Sequence, residues 1–510
     1  MKTAQPHPGW ITVSIMMATI MQALDTTIAN VALPHMQGSL NATLEQISWV
    51  LTSYIVAAAI MTAPTGILAA KFGRKRLFMI SVTGFTLTSV LCGMAQNLDE
   101  MVLFRLLQGV FGAGLVPLSQ AVLLDTYPPE KHGPAMSMWG MGVMLGPILG
   151  PSLGGWLTEY YNWRWVFYIN VPVGIATLFG LSMFLPETEK NTTRRFDGFG
   201  FALLGLAIGG LQLLLDRGQS QDWFNSAEVI TETVVAGLAF YLFLVHVMTA
   251  RKHPFLEPAM FRDRNFAASL VFIFVVGIVM LASMALLPPF LQNLMGYPVM
   301  ETGLLLAPRG VGTMAAMQVA GRLTRRVDTR LMILIGLLLT SYSLWEMSLF
   351  TTYEPASIIV RNGLVQGVGM GFVFVPLSTM AYSTLAPHYR NDAAAVFSLL
   401  RNLGSSVGIS IVTTLLARNT QINHAELGSH LVGYGSMAGM VDTAIHSIGN
   451  IPSSAALTML NGMVTDQAAA ISYLNDFRLM TVIVLAAAPM LLILKKNPYQ
   501  ISKSEAAVME

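Results

Sequence analysis

Apolar residues in this chain come in long runs separated by short polar clusters. A helix needs roughly 17–25 predominantly apolar residues to cross a bilayer. Runs of that length lie near 10–33, 48–70, 77–96, 100–122, 134–157, 163–185, 198–216, 229–249, 266–291, 301–321, 331–350, 356–380, 394–417 and 478–495. The pattern predicts fourteen transmembrane helices in an all-α integral membrane protein. The first run is long, carries Asp25 and has no small-x-small cleavage site, so it reads as a span and not as a signal peptide.

The runs also repeat. Gln108-Gly109-Val110 returns as Gln366-Gly367-Val368, and Pro117-Leu118-Ser119 returns as Pro376-Leu377-Ser378. Gly146 and Gly150 match Gly404 and Gly408, and the basic hairpin after Gly66 matches the one after Gly321. The near-constant offset, between 255 and 259 residues, implies two parallel halves of six spans each. Residues 1–190 form the first half, 191–260 an inserted helix pair with its flanking loops, and 261–510 the second half. A long outer loop is expected at about 418–477, with a helical stretch over Ser453–Gln467 and glycine-rich turns around Gly428–Gly439. Parallel duplication of this kind is the architecture of a secondary transporter, with its substrate site near the midplane between the halves.

Composition sharpens the class. Hydrophobic residues make up 54% of the chain and charged residues 11%, against about 25% in soluble domains. All nine lysines and twelve arginines, 21 of the 29 basic residues, fall on one side of the fourteen-span layout. Both termini are therefore expected in the cytoplasm. Trp49, Trp156, Trp163, Trp165 and Trp223 gather at the opposite interface, as an aromatic belt would. The net charge of +2 reflects this topology and gives no hint of a nucleic-acid partner. A single cysteine, Cys92, excludes an internal disulfide framework. No phosphate-binding Gly-x-x-x-x-Gly-Lys-Ser/Thr loop occurs, so ATP hydrolysis is not expected to drive transport. No Cys/His cluster has metal-site spacing, and His424, His430 and His446 are expected to face solvent in the outer loop.

Against this apolar background Asp25 stands out, the one ionisable side chain in the run 9–34. An ionised carboxylate inside a bilayer costs roughly 2.5–3.5 kcal/mol on insertion scales, so it persists where it is paired, hydrated or protonated. Two readings follow: a proton-coupling site, or a structural carboxylate bonded to Thr26, Thr27 or Asn30. Arg105, a few residues inside the outer edge of the fourth run, lies at a depth from which it can reach Asp25, as a coupling partner or as a fixed ion pair. Arg309 lies deeper in its run and could pair with an acid or attract an anionic substrate; Arg361, Arg401 and Glu346 are similar cases. Asn30, Gln108, Arg309, Glu346 and Arg361 are the candidates for the substrate pathway. The 33 methionines suit a pocket that repacks around varied apolar ligands, although most must face lipid or packed helices.

Several fragments, in order, resemble one family. Leu24-Asp25-Thr26-Thr27-Ile28-Ala29-Asn30-Val31-Ala32-Leu33-Pro34 resembles the first-helix signature of the fourteen-span drug:proton antiporters, EmrB/QacA type, within the major facilitator superfamily. Arg105-Leu106-Leu107-Gln108-Gly109, Trp163-Arg164-Trp165-Val166-Phe167-Tyr168-Ile169-Asn170-Val171-Pro172 and Leu215-Asp216-Arg217-Gly218 are similar to that family too. The resemblance implies the major facilitator fold and proton-driven export of hydrophobic or amphipathic toxic compounds, with Asp25 and Arg105 in proton coupling. It implies the proton-motive force as the only energy source, without a cofactor.

The fifth span carries Gly142, Gly146, Gly150 and Gly154 at steps of four, with Pro147 and Pro151 beside them. This resembles the superfamily's antiporter motif, and it also suits ordinary small-residue helix packing. The hairpin from Gly66 through Gly73 and Arg74 resembles the superfamily's cytoplasmic loop, with Ala70 where an acid is usual and Arg325 in the second copy. Its charges serve topology or gating, and the missing acid puts the usual charge latch in doubt. Resemblance further implies a bacterial inner membrane, with a periplasmic adaptor protein and an outer-membrane channel as partners. The 418–477 loop is then either an adaptor contact or a passive connection. A dedicated exporter of a metabolite, fatty acid or siderophore is the alternative on the same scaffold. A membrane-embedded enzyme or sensor using Asp25 and Arg105 is the rival from another class.

Overall fold

The computed structural model describes residues 8–188, 196–249, 255–324, 326–432 and 453–495. Among these residues every regular element is a helix. The first half holds α1 (Pro8–Ser39), α2 (Leu44–Ile47), α3 (Trp49–Thr62), α4 (Thr65–Phe72), α5 (Arg74–Met94), α6 (Leu98–Gly112), α7 (Leu115–Thr126), α8 (His132–Tyr160), α9 (Trp165–Tyr168) and α10 (Asn170–Phe184). The inserted pair is α11 (Gly198–Arg217) and α12 (Ala227–Thr249). The second half holds α13 (Arg264–Pro289), α14 (Val299–Leu323), α15 (Thr329–Met347), α16 (Ala356–Ser383), α17 (Arg390–Val432) and α18 (Ser453–Ala487).

A helical body stands at each of the fourteen apolar runs, but they are not equally suited to lipid. Eleven are long and apolar enough to cross a membrane, or twelve when α3 and α4, bent by 58° at their junction, count as one. α8 and α14 are not among them: glycines and prolines dilute the first, and Glu301, Arg309 and Arg322 interrupt the second. The outward faces are apolar. Leu87, Ile175, Phe179, Tyr241 and Met248 are all exposed, a surface that in water would aggregate and in lipid is matched.

The expected 418–477 loop is largely helical. α17 continues to Val432 and α18 begins at Ser453, so both spans extend well past the apolar runs. Asn423 Nδ2 donates to Ser472 Oγ at 3.0 Å and ties the two extensions together. His446 and most of the Gly428–Gly439 turns lie outside the described residues, as do Arg325 and Lys190. Trp156 and Trp165 are exposed as a belt requires, but Trp163 is buried and donates to Ser39 Oγ at 3.0 Å.

The inserted pair lies outside the two bundles. α11 leans on α3, where Ile60 faces Gly205 and Gly209, and α12 packs back on α11 at Gly210. Thr52 of α3 bonds to Asp216, and the guanidinium of Arg217 sits 4.9 Å from the Trp49 ring centre while pairing with Glu228. These contacts use the Leu215–Gly218 fragment singled out in the sequence.

The halves meet firmly at the end bearing the basic hairpins. Gly73, at φ 90°, reverses the chain between α4 and α5 in one residue, a conformation that favours glycine. A Cβ on Gly66 would lie 2.3 Å from Asp392 Oδ1 at the start of α17, so glycine lets the two halves touch there. Ala70 carries no charge, yet a charge contact spans the halves. Asp125 pairs with Arg74 of its own half and, at 2.9 Å, with Arg390 of the other. Deeper in, Tyr382 donates to Gln120 Oε1 at 3.0 Å and Trp139 stacks on Phe374 at 5.8 Å. Both described chain ends emerge at this same end, since Thr12 bonds Tyr127 and the Lys495 amide donates to Asn265.

His132, which opens α8, packs into this junction with Nε2 2.9 Å from the Leu124 carbonyl and 3.0 Å from that of Tyr127. Burial first, and then the positive Arg390, hold its imidazole below the usual histidine range against the opposing pull of those carbonyls and Asp125. A proton on His132 is therefore disfavoured most while Arg390 is near. Separating the halves relieves that repulsion, so the closed junction is favoured above about pH 6.5 and loses ground as pH falls below it. Spin labels placed across the junction should report a larger separated fraction at pH 5 than at pH 8. His132→Asn should flatten that difference.

Candidate functional site

Asp25 sits in α1 with its side chain fully buried, and three donors from two other helices, α6 and α10, converge on it. Arg105 Nη1 of α6 donates to Oδ2 at 2.8 Å. Gln108 Nε2, one turn further on, donates to Oδ1 at 3.0 Å, and Asn170 Nδ2 at the start of α10 donates to the same oxygen at 2.8 Å. Ser89 of α5 backs the cluster, accepting from Gln108 at 3.1 Å and Asn170 at 2.9 Å while donating to the Phe167 carbonyl at 3.0 Å. Thr26, Thr27 and Asn30 do not serve the carboxylate. Thr26 bonds the Ala23 carbonyl, Thr27 bonds backbone carbonyls including that of Gly146, and exposed Asn30 reaches the Thr26 carbonyl at 3.4 Å.

Arg105 is equally well held. Its Nε donates to the Val50 carbonyl at 3.1 Å, and Nη1 also donates to Gln108 Oε1 at 2.7 Å. Its guanidinium lies 4.3 Å from the Tyr54 ring centre and 5.6 Å from that of Phe167. Two opposite charges removed from water are tolerable when paired and when their remaining bonds are satisfied. Both conditions hold here. The carboxylate is an acceptor for all three neighbours.

The four glycines of α8 bring that helix against α1 beside the acid. A Cβ on Gly146 would lie 2.3 Å from the Ala23 carbonyl oxygen, one on Gly150 2.1 Å from Thr27 Oγ1, and one on Gly154 3.0 Å from the Ile28 carbonyl oxygen. Gly142 meets the flexible end of Met16 instead. Thr27 Oγ1 donates to the Gly146 carbonyl at 3.0 Å, a bond that ties α1 to α8. Gly155 faces open space. One stripe of bare backbone thus fixes the position of the Asp25 turn.

The Major Facilitator Superfamily profile matches residues 15–409. The chain is 36% identical to the fatty acid resistance protein FarB of Neisseria gonorrhoeae over 90% of each chain. It is also 36% identical to the multidrug export protein EmrB of Escherichia coli K12, over 82% of each. It belongs to the major facilitator superfamily, in its EmrB-type branch. The solved proton:xylose symporter XylE shares the fold, with a TM-score of 0.62 over 99% of both chains at 13% identity.

In this facilitator the other candidates separate. Gln108 belongs to the Asp25 cluster rather than to an independent pathway. Glu346 and Arg361 pair with each other at the far end of the second half, joined by Asn362 Nδ2 at 2.7 Å from Glu346. Arg309 finds no acid among the described residues and reaches the Met280 carbonyl at 3.4 Å. Asn170, Ser89 and Tyr54 are the residues that sequence reasoning missed. Only Asn170 carried a signal, as the polar residue inside the fragment Trp163–Pro172.

The second half keeps the same frame without the charges. Gln366, the repeat partner of Gln108, donates to Ser283 Oγ at 3.4 Å, where the first half has Asp25. The superfamily's two halves are therefore alike in shape here and unlike in electrostatics.

Two outcomes follow from this packing. Arg105→Gln leaves a buried carboxylate without its cation and should cost roughly 3–5 kcal/mol, part of which Asp25→Asn in the same chain restores; thermal unfolding of the two variants in detergent measures the difference. Gly146→Ala should lower stability by about 1–3 kcal/mol through overpacking against Ala23. In the same unfolding assay Gly155→Ala should stay within about 0.5 kcal/mol of the parent.

Proposed function

We propose that this protein exports hydrophobic or amphipathic toxic compounds in exchange for protons, by alternating access. The observation that carries the reading is the buried Asp25–Arg105 pair, held by Gln108 and Asn170 inside one half. A group that must choose between a guanidinium and a proton can couple protonation to movement. When α6 and α10 also slide against α1 within the first half as the halves rock, the carboxylate is left in apolar surroundings unless a proton neutralises it. A proton from the outer side then stabilises the alternative state, and its release resets the pair. The relatives named as multidrug export proteins support a broad substrate range for this chain.

The remaining parts fit that scheme. The lysines and arginines of the basic end, where both described termini emerge, support a cytoplasmic side there, and the EmrB-type relatives support a bacterial inner membrane. The conformation described here is then the one shut toward the cytoplasm, with Asp125 and Arg390 across the seam. Fourteen spans cross the inner membrane when α8 and α14, shielded by their neighbours, are counted with the twelve apolar ones. The proton-motive force is the energy source, and no cofactor is invoked. The paired extensions of α17 and α18 are the surface offered to a periplasmic adaptor and, through it, an outer-membrane channel. One observation favours the narrower alternative of a dedicated exporter: the relative FarB is named for fatty-acid resistance.

Everted membrane vesicles energised to an acid interior test the scheme. A pH-sensitive dye should recover when lipophilic cations, phenolic uncouplers or fatty acids are added. Recovery should vanish with Asp25→Asn, although that variant still elutes as a monodisperse protein. Recovery with one compound class alone selects the dedicated exporter. Full recovery by Asp25→Asn would refute coupling through this residue.

A further inference from the structure

Arg401 and Arg309 are the two cations of the second half that the coupling scheme leaves unused. Arg401 is nine-tenths buried, and Arg309 is partly buried. Among the described residues neither is paired with a carboxylate. Arg401 has a long contact of 3.5 Å to Asn402 Oδ1, and Arg309 one of 3.4 Å to the Met280 carbonyl. Arginine does not shed its charge to relieve burial, so an unmatched guanidinium in a membrane interior is costly.

Their placement is not scattered. Arg401 lies eleven residues into α17 and Arg309 ten residues into α14, about 15–16 Å along helices that start from opposite ends. Both depths fall near the middle of a core about 30 Å thick. They also address one level of α13: the Arg401 carbonyl oxygen lies 2.3 Å from a Cβ built on Gly277, and Met280, one turn away, receives Arg309. Arg401 faces the first half, its guanidinium 6.0 Å from the ring centre of Trp139. Around that seam stand Phe374, Met141 and Met317, apolar and polarisable groups.

The buried acids are committed elsewhere or lie at other depths. Asp25 is held by Arg105, and Glu346 by Arg361. Asp392 lies in the first turn of α17, about 13 Å below Arg401. Asp476 sits between Tyr473 and Phe477, whose rings meet Phe290, about 15 Å further along from Met280. Among the described residues two guanidiniums without a carboxylate thus lie at one level of the second half, and Arg401 adjoins an aromatic and methionine wall at the seam.

We infer that Arg401 and Arg309 form the head-group site for the exported compound, and that its class is the amphipathic organic anion, a carboxylate with an apolar tail. The guanidinium forks match a carboxylate, and the wall of Trp139, Phe374 and methionines takes the tail. The same site disfavours a lipophilic cation by repulsion. This inference rests on the efflux reading and narrows it.

A matched pair of probes tests it: dodecanoate and dodecyltrimethylammonium, which differ in head-group charge. Binding of each to the purified full-length protein in nanodiscs is measured, and proton release by each in proteoliposomes. The wild type should bind dodecanoate at least tenfold more tightly than the cation. Arg401→Gln and Arg309→Gln should each weaken dodecanoate binding tenfold or more and leave the cation unchanged or tighter. Arg401→Lys, which keeps the charge, should retain most of the affinity and decides the matter if Arg401→Gln does not fold. Wild-type affinity for dodecanoate in both glutamine variants would overturn the inference. So would preferential binding of the cation; proton release by that cation would still uphold the efflux reading. Proton release by neither probe, despite binding of dodecanoate, would count against efflux and leave the anion site standing.

Discussion

A carboxylate inside a membrane has to be matched, and most of the first half is arranged around that need. Asp25 is held by a guanidinium and two amides that come from α6 and α10, and Ser89 of α5 fastens the amides from behind. Each helix is thus fixed relative to α1 by a polar bond in a medium that supplies no competing water. The pair is close to neutral as a unit, so its desolvation is tolerable only while all partners remain in place. Any movement that separates α6 or α10 from α1 raises that cost.

The two halves answer the same geometric plan with opposite electrostatics. Gln108 bonds Asp25 in one, and Gln366 bonds Ser283 in the other. The half that lacks the acid carries Arg309 and Arg401 without carboxylates among the described residues. The packing at Gln108 and Gln366 is alike, whereas the charges around them differ. A symmetric protein would have placed two identical sites across the seam; this one places a compensated pair on one side and uncompensated cations on the other.

Close approach is the second device. Gly146 and Gly150 press α8 on α1, Gly66 lets α4 touch the start of α17, and Gly321 meets Ser137 where α14 crosses α8. In lipid there is little hydrophobic gain from joining two apolar helices, so contact between backbones supplies the attraction instead. Charge at the basic end complements it. Asp125 reaches across to Arg390, a charge contact between the halves that does not involve Ala70 of the hairpin.

Much was legible in the sequence because the bilayer imposes a coarse grammar on it. Length and apolarity of the runs determined where helices form, the repeat offset pointed to two halves, and the lone acid in the first run pointed to the candidate site. The helical stretch expected over Ser453–Gln467 is there as the start of α18, but the chain alone did not show that it runs on unbroken into the last span or that α17 continues to Val432, since polar helices outside lipid leave no hydropathy signal. Nor could it choose among partners for Asp25. Thr26, Thr27 and Asn30 are near in sequence, but a helix turns successive side chains to different faces, and the groups that reach the carboxylate are 80, 83 and 145 residues away. Which arginines are compensated was decided the same way, by helices packing at a common depth. Sequence determined what each segment is; only tertiary structure decided what each charge meets, because matching a charge depends on distance in space and not along the chain.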